Sequence, residues 1–133
     1  MNKKVLIVSS DYYKDVSRNL ELGSTITLSE NNLDYKIINA PGCFEIPFLI
    51  KKNIEMYDAF LALGCVVRGE TYHFELIANE TSRKIMDLSI DYNVPIGFGI
   101  LTCNNLDQAL VRSDINKKNK GREAALACIE LLK

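Results

Sequence analysis

The chain contains one histidine, and the residues around it have the types and spacing of a reactive site. His73 lies in the segment Gly64-Cys65-Val66-Val67-Arg68-Gly69-Glu70-Thr71-Tyr72-His73-Phe74, where an apolar run gives way to a helical pattern. The start of a helix presents unpaired backbone N–H groups and the positive end of a dipole, which together favour an anion such as phosphate. An imidazole beside that anion can trade protons near neutral pH. The segment therefore indicates an anion site with a proton-transfer group next to it.

The surrounding pattern predicts the elements that position this segment. The pattern predicts four strands, at Val5–Val8, Tyr35–Ala40, Tyr57–Val66 and Ile96–Leu101, and the continuous apolar run Val5–Val8 is typical of a buried parallel strand. Helical spacing predicts helices at about Asp15–Glu30, from Glu45, from Tyr72 to Asn93, from Asn105 to Arg112 and from Gly121 to Leu132. Asn105 and Gln108 resemble a capping box, and Leu106 is expected to face inward in the helix that follows.

This alternation predicts an α/β protein with a three-layer α/β/α sandwich and a four-stranded parallel sheet of flavodoxin-like order. A length of 133 residues predicts a single domain, residues 1–133. In such an open sheet, ligands bind outside the carboxyl ends of the strands, where the His73 segment lies. The small sheet and the apolar last helix predict that further surface is buried against copies of the chain.

Composition restricts the classes of function. The formal net charge is −1, so no large positive field favours nucleic acid or acidic lipid. No apolar run approaches the roughly 20 residues of a membrane helix, and the first residues do not resemble a signal peptide. We therefore expect a cytoplasmic protein with neither nucleic acid nor membrane as partner.

Metal and cofactor motifs are missing from the sequence. The four cysteines are widely spaced, without a C-x-x-C pair, and a single histidine does not complete a zinc set with them. There is neither a Walker loop nor a G-x-G-x-x-G motif. The cysteines are expected to be small buried hydrophobic residues in a reducing cytosol.

Five segments resemble, in the same order, segments of the lumazine synthase (6,7-dimethyl-8-ribityllumazine synthase) family. They are Pro41-Gly42-Cys43-Phe44-Glu45-Ile46-Pro47, the His73 segment, Gly97-Phe98-Gly99-Ile100-Leu101-Thr102, Gln108-Ala109-Leu110-Val111-Arg112 and Asn119-Lys120-Gly121. The resemblance covers the chain from Lys4 onward. It implies condensation of 5-amino-6-ribitylaminouracil with 3,4-dihydroxy-2-butanone 4-phosphate, with release of phosphate and water. This is the penultimate step of riboflavin biosynthesis, and it needs no metal or organic cofactor.

The resemblance also implies roles for individual residues. His73 is the acid/base, Arg112 binds phosphate together with the loop of Glu70 and Thr71, and Tyr12 stacks on the pyrimidine. Glu45 accepts hydrogen bonds from ribityl hydroxyls, while Phe98 closes the pocket from a neighbouring subunit. The remaining implied contacts are Cys43 and Phe44 along the ribityl channel, backbone groups of Cys65, Val66 and Val67 at the uracil edge, and Lys120 at the ring or phosphate.

Considered without the resemblance, these residues have plainer interpretations. His73 and Thr71 are then a surface histidine and a cap at a helix start, and Glu45 is a first-turn acid favoured by the dipole. Arg112 is a solvated charge near a helix end, and Lys120 belongs to an exposed basic loop. Phe98 is a core aromatic residue in that interpretation.

The first loop departs from the family pattern, with Ser10-Asp11-Tyr12-Tyr13 in place of the usual Gly-Arg-Phe-Asn. This leaves open which tyrosine stacks, and it keeps a flavin- or lumazine-binding protein without catalysis as an alternative. Archaeal-type riboflavin synthase is a second alternative. A phospho-receiver domain is disfavoured because Gly64-Cys65-Val66 provide no aspartate at the end of the third strand.

The resemblance implies a homo-oligomer with active sites between subunits, and it names riboflavin synthase as a further candidate partner. Many family members carry a longer segment before the first strand, which pairs with an adjacent subunit's sheet. Here the first strand is predicted to begin by about Lys4. That start favours a pentamer or decamer over the larger shell of pentamers.

Overall fold

The structure is a computed structural model that describes residues 2–133. Its elements are β1 (Lys4–Ser10), α1 (Lys14–Glu30), β2 (Asp34–Ala40), a 3₁₀ turn (Cys43–Glu45), α2 (Ile46–Lys52), β3 (Ala59–Val67), α3 (His73–Asp91), β4 (Ile96–Cys103), α4 (Leu106–Ser113) and α5 (Lys120–Leu132). The predicted order of elements is confirmed, with ends that differ by one or two residues in most cases.

The four strands form one parallel sheet in the order β2-β1-β3-β4. Val5 of β1 pairs with Tyr35 of β2 on one side and with Ala59 of β3 on the other. The connection after β1 runs to β2 on one side of it, and the connection after β2 crosses back over β1 to β3 on the other side. The predicted flavodoxin-like order is confirmed, and the reversal of direction lies between β1 and β3.

Both faces of this sheet are covered, which explains the continuous apolar runs of the central strands β1 and β3. Val5, Ile7 and Leu61 pack under α1, α4 and α5. Leu6 and Phe60, which alternate with them along the strands, pack under α2 and α3. The predicted three-layer α/β/α arrangement is confirmed.

The glycines of β4 allow close packing of a helix. A Cβ atom on Gly97 would lie 2.3 Å from the carbonyl oxygen of Ala124 in α5. Glycine therefore admits α5 against the strand at this point.

At the start of α4, the predicted inward orientation of Leu106 is wrong, and the predicted capping box is confirmed in part. Leu106 was expected to face inward, but it is 45% exposed because it begins the helix at the rim of the sheet. The side chain of Asn105 accepts the N–H of Gln108 at 2.9 Å, as a capping residue does. The side chain of Gln108 accepts the N–H of Asn104 at 2.8 Å, so the reciprocal bond is displaced by one residue.

Within residues 2–133, none of the helices has both the length and the apolar character that a membrane crossing requires.

Candidate active site

A cavity of about 400 Å³ opens at the carboxyl ends of β1 and β3, a volume within the range of small-molecule sites. This is the point where the connections of the sheet reverse direction, and parallel α/β proteins bind ligands there. The lining residues are Ser10, Tyr12, Tyr13, Pro41, Gly42, Cys43, Phe44, Glu45, Cys65, Val66, Val67, His73 and Ile77.

One wall of the cavity is the 3₁₀ turn that follows β2. The N–H of Glu45 donates to the carbonyl oxygen of Gly42 at 3.3 Å and closes this turn. α2 begins immediately afterwards, with Pro47 in its first turn, where the missing N–H has no consequence. The turn leaves the ring of Phe44 61% exposed and Glu45 half-buried at the cavity wall.

The floor of the cavity is formed by the end of β3 and by two buried thiols. The thiol of Cys43 donates to the carbonyl oxygen of Cys65 at 3.8 Å. Burial raises the pKa of Cys43 to about 11 and that of Cys65 to about 12. Both thiols are therefore protonated at neutral pH and fill space, which is the role predicted for the cysteines.

The imidazole of His73 projects from the first residue of α3 and lines the same cavity as Ile77, one turn further along. No side chain caps this helix. The hydroxyl of Thr71 accepts the N–H of His73 at a long 3.4 Å, so Thr71 is at most a weak substitute for a cap. The first turn of α3 therefore presents N–H groups toward the loop that precedes it.

That loop, residues 68–72, is exposed and does not line the cavity. In the part of the chain that the structure describes, no acceptor pairs with the N–H groups of Gly69, Glu70 or Thr71. A Cβ atom on Gly69 would meet nothing within 4 Å. The fold of one chain therefore does not require glycine here, whereas the close approach of a ligand would.

The other predicted phosphate and ring contacts lie elsewhere. Phe98, Arg112 and Lys120 line a second depression of about 400 Å³ beside β4, which shares no lining residue with the first. Arg112 is half-buried and donates to the carbonyl oxygen of Gln108 at 3.3 Å. The ammonium of Lys120 is 3.2 Å from the carboxylate of Glu123. The predicted site residues thus fall into three groups on the chain: those that line the first cavity, Glu70 and Thr71 in the exposed loop, and those that line the second depression.

Four residues of the first cavity were not predicted as site residues, namely Ser10, Pro41, Gly42 and Ile77, and a fifth, Tyr13, was left open as the alternative to Tyr12 for stacking. Ile77 could have been found from its position one helical turn after His73. Pro41 and Gly42 belong to a segment already singled out. Ser10 was singled out only as a departure from the family pattern in the first loop, without a predicted contact.

Within residues 2–133, no group of three or more His, Cys, Asp or Glu residues is placed to hold a metal ion.

The fold is that of a parallel α/β protein, with a cavity of small-molecule size at the carboxyl ends of its strands. Residues 2–133 match the sequence model of the 6,7-dimethyl-8-ribityllumazine synthase family. The chain belongs to this family.

Full-length relatives bear the same name. A 6,7-dimethyl-8-ribityllumazine synthase of Bartonella bacilliformis is 43% identical over 100% of this chain and 92% of its own length. One of Bartonella tribocorum is 45% identical over 100% and 93%, and one of Zymomonas mobilis is 45% identical over 96% and 93%.

Proposed function

We propose that the protein is a transferase, a 6,7-dimethyl-8-ribityllumazine synthase, that condenses 5-amino-6-ribitylaminouracil with 3,4-dihydroxy-2-butanone 4-phosphate and releases phosphate and water. The observation that carries the proposal is the cavity at the sheet reversal, where Tyr12, Phe44, Glu45 and His73 meet in a chain of this family. The reaction is the penultimate step of riboflavin biosynthesis.

The pyrimidine occupies the first cavity. Its flat ring stacks on Tyr12, whose face is open to solvent, and its polar edge meets backbone groups of Cys65, Val66 and Val67. Glu45 accepts hydrogen bonds from the ribityl hydroxyls beside Cys43 and Phe44. These assignments are supported by the shared cavity and by the half-buried position of the Glu45 carboxylate.

The chemistry requires several proton transfers next to this ring. The 5-amino group attacks the ketone carbon, and loss of water gives an imine. A proton then leaves the neighbouring carbon as the C–O bond to phosphate breaks. The resulting enol becomes a ketone, which the ribitylamino nitrogen attacks, and a second water is lost. His73 accepts and returns these protons, a role supported by its exposed imidazole in the cavity wall.

The phosphate is held by the N–H groups of the Glu70–Thr71 loop and by the planar fork of Arg112. Because the Arg112 depression shares no residue with the His73 cavity, we assign Arg112, Phe98 and Lys120 to the site of an adjacent copy. The active enzyme is then a homo-oligomer, a pentamer or a multiple of it.

Exposed surface features support this assembly. β4 is an edge strand of the sheet, and Phe98 on it is 45% exposed. Helix α3 also presents Leu76, Met86 and Ile90 to solvent, with Ile90 70% exposed. A second copy of the chain would bury such surface.

Two further parts of the proposal concern the cellular setting. Riboflavin synthase consumes the lumazine product, so it is the proposed partner enzyme. The proposed compartment is the cytoplasm, where thiols stay reduced, and the presence of Cys43, Cys65, Cys103 and Cys128 as free buried thiols supports it.

The test is to mix purified protein with both substrates and follow lumazine formation by absorbance. A sample without protein corrects for spontaneous condensation, and His73→Ala should lower the enzymatic rate. Riboflavin formed from added lumazine would instead support the archaeal-type riboflavin synthase. Binding of flavin or lumazine without turnover would support a binding protein.

A further inference from the structure

Arg68, the first residue after β3, makes four contacts with other parts of the chain. Its N–H donates to the carbonyl oxygen of Cys103 at 2.8 Å. Its Nε donates to Oδ1 of Asn104 at 3.1 Å, and its Nη1 donates to Oε2 of Glu75 at 2.5 Å. Its guanidinium carbon also lies 4.5 Å from the ring centre of Phe74. The planar fork thus uses separate donors on separate partners.

These contacts join the two sides of the proposed anion loop. Asn104 precedes α4, and its N–H donates to the side chain of Gln108, so this anchor is tied to the first turn of that helix. Phe74 and Glu75 belong to the first turn of α3, next to His73. Arg68 therefore connects the end of β4 to the helix start that carries the imidazole.

The residues between these anchors have little other support. Gly69, Glu70, Thr71 and Tyr72 are exposed, and a Cβ atom on Gly69 would contact nothing within 4 Å. Their conformation depends on how the loop is held at its two ends. At its start, the loop is held through Arg68.

Fold stability does not explain this arrangement well. The side chains of Arg68 and Glu75 are 47% and 32% exposed, and ion pairs of such exposure add little to stability. The Glu75 carboxylate also neutralises the guanidinium, which leaves Arg68 poorly suited as a direct phosphate ligand. Its main effect is then geometric.

We infer that Arg68 is a positioning residue for the phosphate-binding loop. It orients the N–H groups of Gly69, Glu70 and Thr71, and the helix start at His73, without touching the substrate. This inference rests on the proposed function. Correct orientation of donors before binding lowers the cost of holding the anion, so its loss should weaken phosphate recognition most.

The test compares Arg68→Ala and Arg68→Lys with Arg83→Ala. Arg83 is a matched control, since it is an exposed arginine on α3 that is paired with Glu80 and Asp87. We expect Arg68→Ala to raise KM for the butanone phosphate about tenfold and to change KM for the pyrimidine by less than about twofold. Arg68→Lys should recover little of this loss, because lysine lacks the planar fork whose separate Nε and Nη1 donors reach Asn104 and Glu75. Arg83→Ala should behave as wild type.

A double variant distinguishes a bridge through Glu75 from an effect of the Arg68 charge alone. If Arg68 acts through Glu75, then Arg68→Ala with Glu75→Gln should be no worse than Arg68→Ala alone. Equal changes of KM for both substrates, full recovery in Arg68→Lys, or additive losses in the double variant would overturn the inference.

Calorimetric titration with inorganic phosphate separates this inference from the proposed function. If the wild-type protein forms no lumazine but phosphate binding still weakens about tenfold in Arg68→Ala and not in Arg83→Ala, the proposed function fails and the positioning role stands. If lumazine forms and phosphate binds equally well to Arg68→Ala and wild type, the positioning role fails.

Discussion

The ring of Tyr13 meets the ring of Tyr12 edge to face, with 4.9 Å between ring centres and 77° between planes. Tyr13 is half-buried against the core, whereas Tyr12 is 72% exposed. Burial also raises the pKa of Tyr13, so its hydroxyl remains protonated. Tyr13 therefore contacts both the core and Tyr12, and Tyr12 is the more exposed of the two rings.

We predict that Tyr12→Ala raises KM for the pyrimidine about tenfold, because a stacking partner is lost. Tyr12→Phe should retain wild-type affinity, since the ring alone stacks. Tyr13→Phe is the control, because it keeps the supporting ring and removes the hydroxyl. Steady-state kinetics with the pyrimidine varied measures these effects. A large loss in Tyr13→Ala with none in Tyr12→Ala would reverse the assignment.

The separation of His73 from Arg112 leads to a mixing experiment. If each site takes His73 from one copy and Arg112 from another, His73→Ala and Arg112→Ala should both be weakly active alone. Unfolded together and refolded as mixed oligomers, they should recover about one quarter of wild-type activity, because that share of sites receives both intact residues. Activity no greater than the mean of the two separate variants would place both residues in one chain's site.

Gly69 provides a test of ligand approach. A Cβ atom there would meet no atom of residues 2–133 within 4 Å, so Gly69→Ala should change the melting temperature little. The methyl group would instead obstruct phosphate near the loop, and we expect KM for the butanone phosphate to rise about tenfold. Calorimetry and kinetics on the same preparation measure both quantities. A destabilised protein with unchanged KM would contradict this interpretation of the glycine.

The buried thiols make stability depend on alkaline pH. Burial raises the pKa of Cys43 to about 11 and that of Cys128 to about 12. A folded pKa above the unfolded value means that stability is complete below the unfolded pKa and is lost as pH rises toward the folded one. Each of these thiols should cost about 1 kcal/mol of unfolding free energy at about pH 10.

Urea unfolding with reductant, at fixed protein concentration, measures this loss at neutral and alkaline pH. Cys128→Ala should show a smaller alkaline loss than wild type, by about 1 kcal/mol, because one buried thiol no longer titrates. The comparison between variants removes the contribution of other groups that titrate in the same range. The same alkaline loss in both proteins would show that Cys128 is not responsible.

The local pattern of apolar and polar residues was sufficient to predict the order of the strands and helices. The central strands β1 and β3 are buried on both faces, so they appear as continuous apolar runs, and the helices keep one apolar stripe. Capping by Asn105 was also predictable, because it involves residues three apart. Leu106 was predicted wrongly, since spacing identifies a helical face but not whether the first residue of a short helix reaches the core.

The sequence by itself determined the α/β class, the segment around His73 and the resemblance to a family, because these depend on residues that are neighbours along the chain. The tertiary structure alone decided which distant residues meet. It joins Ser10, Glu45, Cys65 and His73 in one cavity and puts Arg112 in another. The tertiary structure also brings Arg68 into contact with both Asn104 and Glu75. Such contacts depend on the order of strands and the packing of crossovers, which no local spacing encodes.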